Sequence, residues 1–251
     1  MKFSITAASR IGCVRKNNED MVLVGEWFIR NGKMSARYNT DDTDRYLIAL
    51  ADGMGGHNSG EVASSDVLHN LHFFFSDLPI GLNVGEFNEA IYEWLASMNN
   101  IIDSKGREDP RYTKMGTTLV AMAYYGNEFY WMNCGDSRLY RYRDGQLHQL
   151  STDHSLSTLI GTNEHCSVIT NCIGGGCKTS FIDIINCTAD VIPNDVYLFC
   201  SDGLTDMLTD SEIAQALAEG CNADELCQRA EQAGGHDNVS AIVATIEKTQ
   251  S

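Results

Sequence analysis

The sequence predicts an α+β protein in which helices pack on the outside of antiparallel sheets. Short apolar runs typical of strands dominate, and the turn pairs Gly126-Asn127 and Asp144-Gly145 each join two runs as a hairpin. Two long helical patterns follow one another directly, so strands and helices do not alternate as β-α-β units. Since no linker rich in proline, glycine or serine divides the chain, we expect one domain over residues 1–251.

Each predicted element follows from the spacing of apolar residues. Helices are predicted where these residues recur every three or four positions, over 60–78, 85–102, 211–219 and 223–232, with Ser211 as the N-cap of the third. Strands are predicted where short apolar runs are bounded by polar residues or glycine. These runs are residues 3–8, 21–26, 46–51, 117–125, 128–134, 139–143, 146–150, 179–187, 196–200 and 239–246.

The composition describes an acidic globular chain. Lysine and arginine number 18 against 34 aspartates and glutamates, which gives a net charge of −16, and the hydrophobic content of 43% is enough for a sizeable core. This balance argues against proteins that bind nucleic acid or anionic membrane through basic surfaces. No apolar run approaches the roughly 20 residues of a membrane span, and no signal-peptide pattern opens the sequence.

The cysteines point to a reducing compartment. They number nine, an odd count, and no C-x-x-C pair is present, which argues against zinc-finger and thioredoxin-like sites. Cys166, Cys172 and Cys177 form a loose cluster for which a metal or redox role stays open. Together with the absence of an export signal, reduced cysteines predict a cytoplasmic protein.

The pattern with chemical content is a set of aspartates at predicted strand ends beside glycine. Asp52 precedes Gly53 and Asp202 precedes Gly203, and comparable positions are held by Asp20, Asp136 and Asp237. Gathered carboxylates repel one another and raise each other's pKa unless a cation lies among them. Hard oxygen ligands select Mg²⁺ or Mn²⁺ over zinc. Asp-Gly is also an ordinary turn dipeptide, which is our interpretation of Asp144-Gly145.

Seven motifs in a fixed order extend the pattern over nearly the whole chain. They are Arg15-x-x-Asn18-Glu19-Asp20, Asp52-Gly53-Met54-Gly55-Gly56-His57, Met115-Gly116-Thr117-Thr118, Gly135-Asp136-Ser137-Arg138, Asp153-His154-Ser155, Ser201-Asp202-Gly203-Leu204-Thr205-Asp206 and Asp237-Asn238-Val239. Each alone is a weak signal, but their order and spacing resemble the metal-dependent protein serine/threonine phosphatases of type 2C in their compact bacterial form. The resemblance implies a four-layer α-β-β-α sandwich, two antiparallel sheets flanked by helices.

The resemblance also implies a site for Mn²⁺ or Mg²⁺. Asp52 would bridge two ions, and Asp202 and Asp237 would complete the protein ligands of the first. The Gly53 carbonyl would bind the second ion. Its waters would be held by Glu19 and Asp20.

Further roles are implied around this core. Asp136, with Asp202, would hold a weaker third ion. Arg15 would bind the substrate phosphate, and Asn238 would support Asp237. The expected catalytic residues are therefore Arg15, Asp52 and Asp202. A water or hydroxide that bridges the metals would attack phosphoserine or phosphothreonine in a protein, reversing a partner kinase.

Two departures from the family pattern bear on mechanism. Met54 stands where eukaryotic relatives carry a histidine proposed as general acid, and methionine cannot donate a proton. His57 and His236 are weaker substitutes, and His154 is interpreted as structural. Residues 155–176 are shorter than the flap usual in bacterial relatives, which predicts a more open site and weaker binding of the third ion.

Two alternative functions remain open from the sequence. A pseudophosphatase would keep the fold and bind a phosphoprotein or partner without turnover, although every expected metal carboxylate and Arg15 are present. A metal-dependent hydrolase of small phosphate esters would need the same metal site, because the metals alone do not select the leaving group.

Overall fold

The computed structural model describes residues 1–55, 59–162 and 168–247. Its six α-helices within these ranges are α1 (Ser59–Asp77), α2 (Val84–Glu108), α3 (Leu156–Ile160), α4 (Asp202–Thr205), α5 (Asp210–Ala218) and α6 (Ala223–Gln232). Its strands are β1 (Lys2–Arg10), β2 (Met21–Val24), β3 (Trp27–Ile29), β4 (Gly32–Asn39), β5 (Arg45–Ala51), β6 (Gly53–Met54), β7 (Gly116–Thr117), β8 (Leu119–Tyr125), β9 (Glu128–Cys134), β10 (Arg138–Arg143), β11 (Gln146–Gln149), β12 (Ile173–Gly174), β13 (Asp183–Asn186), β14 (Val196–Cys200) and β15 (Val239–Ile246).

Two six-stranded sheets dominate the fold. The first has the order β11-β10-β14-β15-β1-β4 and the second β13-β9-β8-β5-β2-β3, while β12, β7 and β6 form a small third sheet. The strand pairs are antiparallel throughout, as the hairpin signals indicate. This arrangement confirms the α+β prediction and the pair of antiparallel sheets.

Alternation along the central strands gives each sheet two apolar faces. In β5, Ile48 and Leu50 join the core between the two sheets, whereas Leu47 and Ala49 face the core beneath α1 and α2. In β15, Ile242 joins the inter-sheet core, and the neighbouring residues face the helices after β14. Successive side chains on a strand point to opposite faces, so an unbroken apolar run can serve both cores.

The helices complete four layers. Apolar stripes of α1 and α2 pack on the second sheet, with Val67, Leu71, Ile91 and Leu95 completely or almost completely buried. The helices α4, α5 and α6 cover the first sheet through a separate core. The α-β-β-α sandwich is thereby confirmed. Among the described residues, no helix combines the length and apolar character required to cross a bilayer.

Some predicted boundaries were wrong for identifiable reasons. The N-cap of α5 is Thr209, not Ser211, because Thr209 forms a capping box with Glu212. The predicted strand 117–125 is split into β7 and β8, since the Thr118 N–H donates to the Asp52 carbonyl at 2.9 Å. The strands β3 and β4 were missed because they are edge strands with mostly exposed or half-exposed side chains.

The strand ends that carry the predicted acids lie along one edge of the sandwich. In the second sheet, Met21 pairs with Ala51, which brings the start of β2 to the end of β5. In the first sheet, Arg10 pairs with Val239, which brings the end of β1 to the start of β15. The loop after β1 therefore runs beside the residues that precede β15.

Candidate metal centre

The five strand-end aspartates come from both sheets and converge at this edge. Asp20, Asp52 and Asp136 adjoin β2, β5 and β9 of the second sheet, and Asp202 and Asp237 adjoin β14 and β15 of the first. Desolvation holds the pKa of Asp52 well above its ordinary range. Repulsion from the other four carboxylates raises it further. The structure thus brings together the acids that the sequence singled out.

The other carboxylates are perturbed in the same direction. Burial, with repulsion from Asp202 and Asp237, raises the pKa of Asp20 to about 7. Desolvation, with repulsion from Asp202, raises the pKa of Asp136 to about 7. Desolvation and nearby aspartates raise that of Asp202 to about 6. Such a cluster opposes its own ionisation, so it favours either protons or bound cations near neutral pH.

Two observations fit a divalent cation among these groups. Asp20 Oδ1 and Asp136 Oδ1 are buried oxygens without a hydrogen-bond partner, which is costly unless an ion or water satisfies them. Carboxylate and carbonyl oxygens are also the donors that Mg²⁺ and Mn²⁺ prefer. Within the described residues, however, no three histidine, cysteine, aspartate or glutamate side chains already form a group that could hold an ion. The cluster has suitable chemistry, and cation binding would require its side chains to adjust.

Gly53 lies where the chain has no room for a side chain. A Cβ at this position would stand 2.1 Å from the Gly60 carbonyl oxygen at the start of α1 and 2.6 Å from the Glu19 carbonyl oxygen. Glycine is therefore required for α1 and the Glu19 loop to approach β6. The Gly60 N–H also donates to the Glu19 carboxylate, and desolvation raises the pKa of Glu19 despite this bond.

Arg15 lies at the exposed rim of the cluster. Its Nη2 donates to Asp237 Oδ2 at 2.5 Å, and 53% of its side chain is exposed. The bond to Asp237 raises the pKa of the Arg15 guanidinium, and the charges of Glu19 and Asp202 contribute. The predicted phosphate-binding residue is thus adjacent to the carboxylates and accessible from solvent.

Asn238 connects the loop after β1 to the start of β15. Its Oδ1 accepts from the Glu19 N–H at 2.8 Å, and its Nδ2 donates to the carbonyls of Ile11 and Asn17, each at 2.9 Å. Its own N–H donates to Asp237 Oδ1 at 2.8 Å. The Asn238 side chain therefore positions the loop that contains Glu19.

Several positioning residues were not identified from the sequence. The Thr117 hydroxyl donates to the Asp52 carbonyl at 2.8 Å, and the Ser201 hydroxyl donates to Asp20 Oδ2 at 2.9 Å. Arg30 Nε donates to the Asp20 carbonyl at 2.9 Å. Thr117 belongs to the third of the seven motifs and Ser201 to the sixth, and this membership is their only sequence signal. Arg30 follows β3 and belongs to none of the seven motifs, so the sequence gives no signal for its role.

The remaining charged and histidine side chains in or beside the motifs differ in burial and in hydrogen-bond partners. Arg138 is two residues from Asp136 in the Gly135-Asp136-Ser137-Arg138 motif, but its guanidinium makes a bidentate pair with Asp153, with contacts of 2.7–3.0 Å. His154 is 7% exposed and accepts from the Gly135 N–H at 3.0 Å. This contact orders the residue before Asp136, in agreement with a structural role. His236 is exposed, and His57 lies outside the described residues.

Comparison with known proteins places this arrangement in one family. A model described as Protein phosphatase 2C matches residues 35–242. The serine/threonine protein phosphatase PstP of Mycobacterium tuberculosis is 34% identical over an alignment that covers 96% of this chain but only 44% of PstP. The protein phosphatase PhpP of Streptococcus pneumoniae is 29% identical, with 97% of this chain and 98% of PhpP covered.

A solved structure agrees with both sequence comparisons. It is the catalytic domain of PstP in complex with two manganese ions, with a TM-score of 0.74 and 32% identity over 99% of this chain and 100% of that chain. Since a relative above 30% identity spans nearly the whole chain and the family model covers most of it, the assignment does not depend on one motif. The chain belongs to the protein phosphatase 2C family.

Proposed function

We propose that this chain is a cytoplasmic, divalent-metal-dependent phosphatase that hydrolyses phosphoserine and phosphothreonine in proteins. The observation that carries the proposal is the convergence of four carboxylates on Asp52, with the Arg15 guanidinium at the exposed rim. The relatives named as serine/threonine protein phosphatases support the substrate class. The cysteines of the described residues are free thiols, which suits a reducing compartment.

The residues proposed to hold Mn²⁺ or Mg²⁺ are those around Asp52. Asp52 would be shared by two ions, with Asp202 and Asp237 on one of them and the Gly53 carbonyl on the other. Glu19 and Asp20 would orient coordinated water, and Asp136 with Asp202 would hold a weaker third ion. Bound divalent cations at such a site supply positive charge and lower the pKa of water towards neutrality.

Arg15 is the chain's own group for phosphate. Its planar guanidinium can donate to two phosphate oxygens at once, and its exposed rim position lets it exchange the bond to Asp237 for a bond to the substrate. Charge that develops on the phosphoryl oxygens during attack would be stabilised by this fixed cation. Met54, which is half-buried in β6, cannot protonate the leaving oxygen, so we assign that proton to water.

A serine/threonine kinase is the class of enzyme that must supply the substrate, because the bond to be hydrolysed is a phosphate ester of a serine or threonine hydroxyl. We therefore propose that the chain opposes such a kinase.

The test is hydrolysis of a phosphothreonine peptide with Mn²⁺, with EDTA, and after Asp52→Asn or Asp202→Asn. We expect turnover that depends on Mn²⁺ and falls by at least about a hundredfold in both variants, since each removes a charge from the metal site. Asp144→Asn is the matched control: Asp144 also precedes a glycine, but it lies in the β10–β11 turn with a φ of 50°, which asparagine tolerates. This variant should keep full activity.

The outcomes separate the candidate functions. Absence of metal-dependent turnover in a folded protein would refute the enzyme and favour a phosphoprotein-binding role. Turnover of p-nitrophenyl phosphate without turnover of phosphopeptides would refute the protein substrate and favour small phosphate esters. Equal activity of Asp52→Asn and Asp144→Asn would remove Asp52 from the metal site.

A further inference from the structure

Two cysteine thiols meet in a tight turn beside the small third sheet. Cys172 Sγ and Cys177 Sγ are 3.6 Å apart, and both cysteines are free. Three consecutive glycines between them, residues 174–176, have φ values of 77°, 65° and 83°, a region that other residues rarely adopt. The Cys177 N–H donates to the Gly174 carbonyl at 2.9 Å and closes the turn. The glycines therefore bring the two sulfurs into van der Waals contact.

The buried side chain of Asn99 in α2 fixes this turn. Its Oδ1 accepts from the Gly174 N–H at 2.8 Å and from the Ser180 hydroxyl at 2.7 Å. Its Nδ2 donates to the Cys177 carbonyl at 3.3 Å. Because both sides of the turn are attached to one helix, the sulfurs are held close before any bond forms. A disulfide requires them to approach from 3.6 Å to about 2.05 Å.

The two thiols differ in access to solvent. Cys172 is 4% exposed, and burial, together with the neighbouring Cys177, holds the pKa of Cys172 well above its usual range. Cys177 is partly exposed. A small oxidant in solution therefore reaches Cys177 first. The Cys172 sulfur, 3.6 Å from Cys177, is then close enough to form the second half of a disulfide.

We propose that peroxide converts Cys172 and Cys177 into a reversible disulfide that weakens divalent-cation binding at the neighbouring carboxylate site. In the first step the Cys177 sulfur attacks a peroxide oxygen, the O–O bond breaks, and a sulfenic acid and one water result. In the second step the Cys172 sulfur attacks the sulfenic sulfur, the S–O bond breaks, and a second water leaves with the Cys172 proton. Two thiols are oxidised by two electrons and one hydrogen peroxide is reduced to two waters.

A short path connects this turn to the carboxylates. The strand β12 pairs with β7, which pairs with β6 through Gly53 and Thr117. The Cys172 sulfur packs closely on Gly175, because a Cβ added at Gly175 would lie only 2.5 Å from that sulfur. The Gly175 N–H donates to the carbonyl of Met115, which precedes β7, at 2.7 Å. Movement of the sulfur towards Cys177 removes this contact and loosens the sheet that positions Gly53. This consequence rests on the proposed metal centre.

The test uses the full chain, reduced or treated with hydrogen peroxide. Tandem mass spectrometry of the peptide that contains both cysteines should show the loss of two hydrogens and no fragmentation between positions 172 and 177. Dithiothreitol should restore both thiols. Titration calorimetry with Mn²⁺ should show a dissociation constant raised about tenfold in the oxidised protein, the scale of an altered supporting contact.

Matched variants complete the experiment. Cys177→Ser, at a partly exposed position, should abolish both the mass change and the peroxide effect on Mn²⁺ binding, whereas Cys221→Ser at another partly exposed cysteine should change neither. A bond from either thiol to Cys166 or another cysteine, or no bond at all, would overturn the proposal. A Cys172–Cys177 bond with unchanged Mn²⁺ affinity would overturn its effect on the site. Because neither readout is activity, an inactive protein would refute the proposed function alone.

Discussion

The buried Asp20 carboxyl predicts how stability depends on pH when divalent cations are removed. Asp20 is 1% exposed, and burial with repulsion from Asp202 and Asp237 raises its pKa from 3.8 to about 7. Without cations, the folded protein therefore holds this proton more tightly than the unfolded chain does. The resulting stabilisation is fully present below about pH 4 and is lost as pH rises through about 7.

The magnitude follows from the width of this interval. Between about pH 5 and pH 7 an unfolded aspartate is ionised, while folded Asp20 stays largely protonated. Each pH unit then lowers the free energy of unfolding by up to about 1.4 kcal/mol, and because folded Asp20 is half-ionised at about pH 7, this window removes about 2 kcal/mol. Mn²⁺ should oppose the loss, because it binds ionised carboxylates and favours the folded state as pH rises.

The assay is urea unfolding in EDTA at both pH values, followed by tryptophan fluorescence and circular dichroism. Asp20→Asn removes the titrating group and should lose about 2 kcal/mol less than the parent between about pH 5 and pH 7. Asp144→Asn, at an exposed turn, should follow the parent. A difference below about 1 kcal/mol between Asp20→Asn and the parent would refute the reasoning.

Four further predictions follow from the site. Arg15→Ala should raise KM for a phosphopeptide by about tenfold without changing Mn²⁺ affinity in calorimetry, because the guanidinium contacts phosphate rather than metal; unchanged KM would contradict this. Asn238→Ala should weaken Mn²⁺ binding by about tenfold, since it releases the Glu19 loop, and a normal affinity would exclude that positioning role. Asp136→Asn should reduce activity less than it does in a long-flap relative, and equal losses would contradict weak binding of the third ion. Phosphopeptides flanked by basic residues should have a lower KM at low salt than acidic ones, because the chain carries a net charge of −16, and equal KM values would refute such steering.

The sequence predicted those elements whose apolar pattern is set by burial. The bounds of β9, β14, β15 and α6 agree at both ends, because each is a run whose side chains must enter a core. By contrast, β4 has mostly exposed or half-exposed side chains and is held by pairing with β1. Backbone pairing of an edge strand leaves no apolar period in the sequence, so β4 could not be predicted from that signal.

The acids of the site were predictable because they adjoin strands whose apolar runs could be recognised, whereas the groups that position them were not. Antiparallel pairing places alternate strand ends at one edge, so acids beside those ends can meet. The contacts of Asn238 with Glu19 and of Ser201 with Asp20 join positions 219 and 181 residues apart. A single polar contact between distant positions leaves no repeating pattern in the sequence, so it could not be predicted from residue spacing. Only the resemblance to a known family included Asn238 among the expected residues.

Contrast with acids elsewhere in the chain supports the cation interpretation. Asp195, whose side chain is 1% exposed, pairs with Arg143 at 2.6 Å, and Asp224 pairs with Lys33 at 2.7 Å. Among the described residues, no lysine or arginine forms an ion pair with Asp20 or Asp52. A chain that supplies arginine and lysine to its structural acids, and places Arg15 only at the rim of this cluster, leaves the charge of the cluster to be neutralised from solution. Protons are progressively lost from the cluster as pH rises through about 7, whereas divalent cations can still neutralise its carboxylates there. We therefore expect binding of those cations to be coupled to the stability of the fold as well as to the proposed hydrolysis.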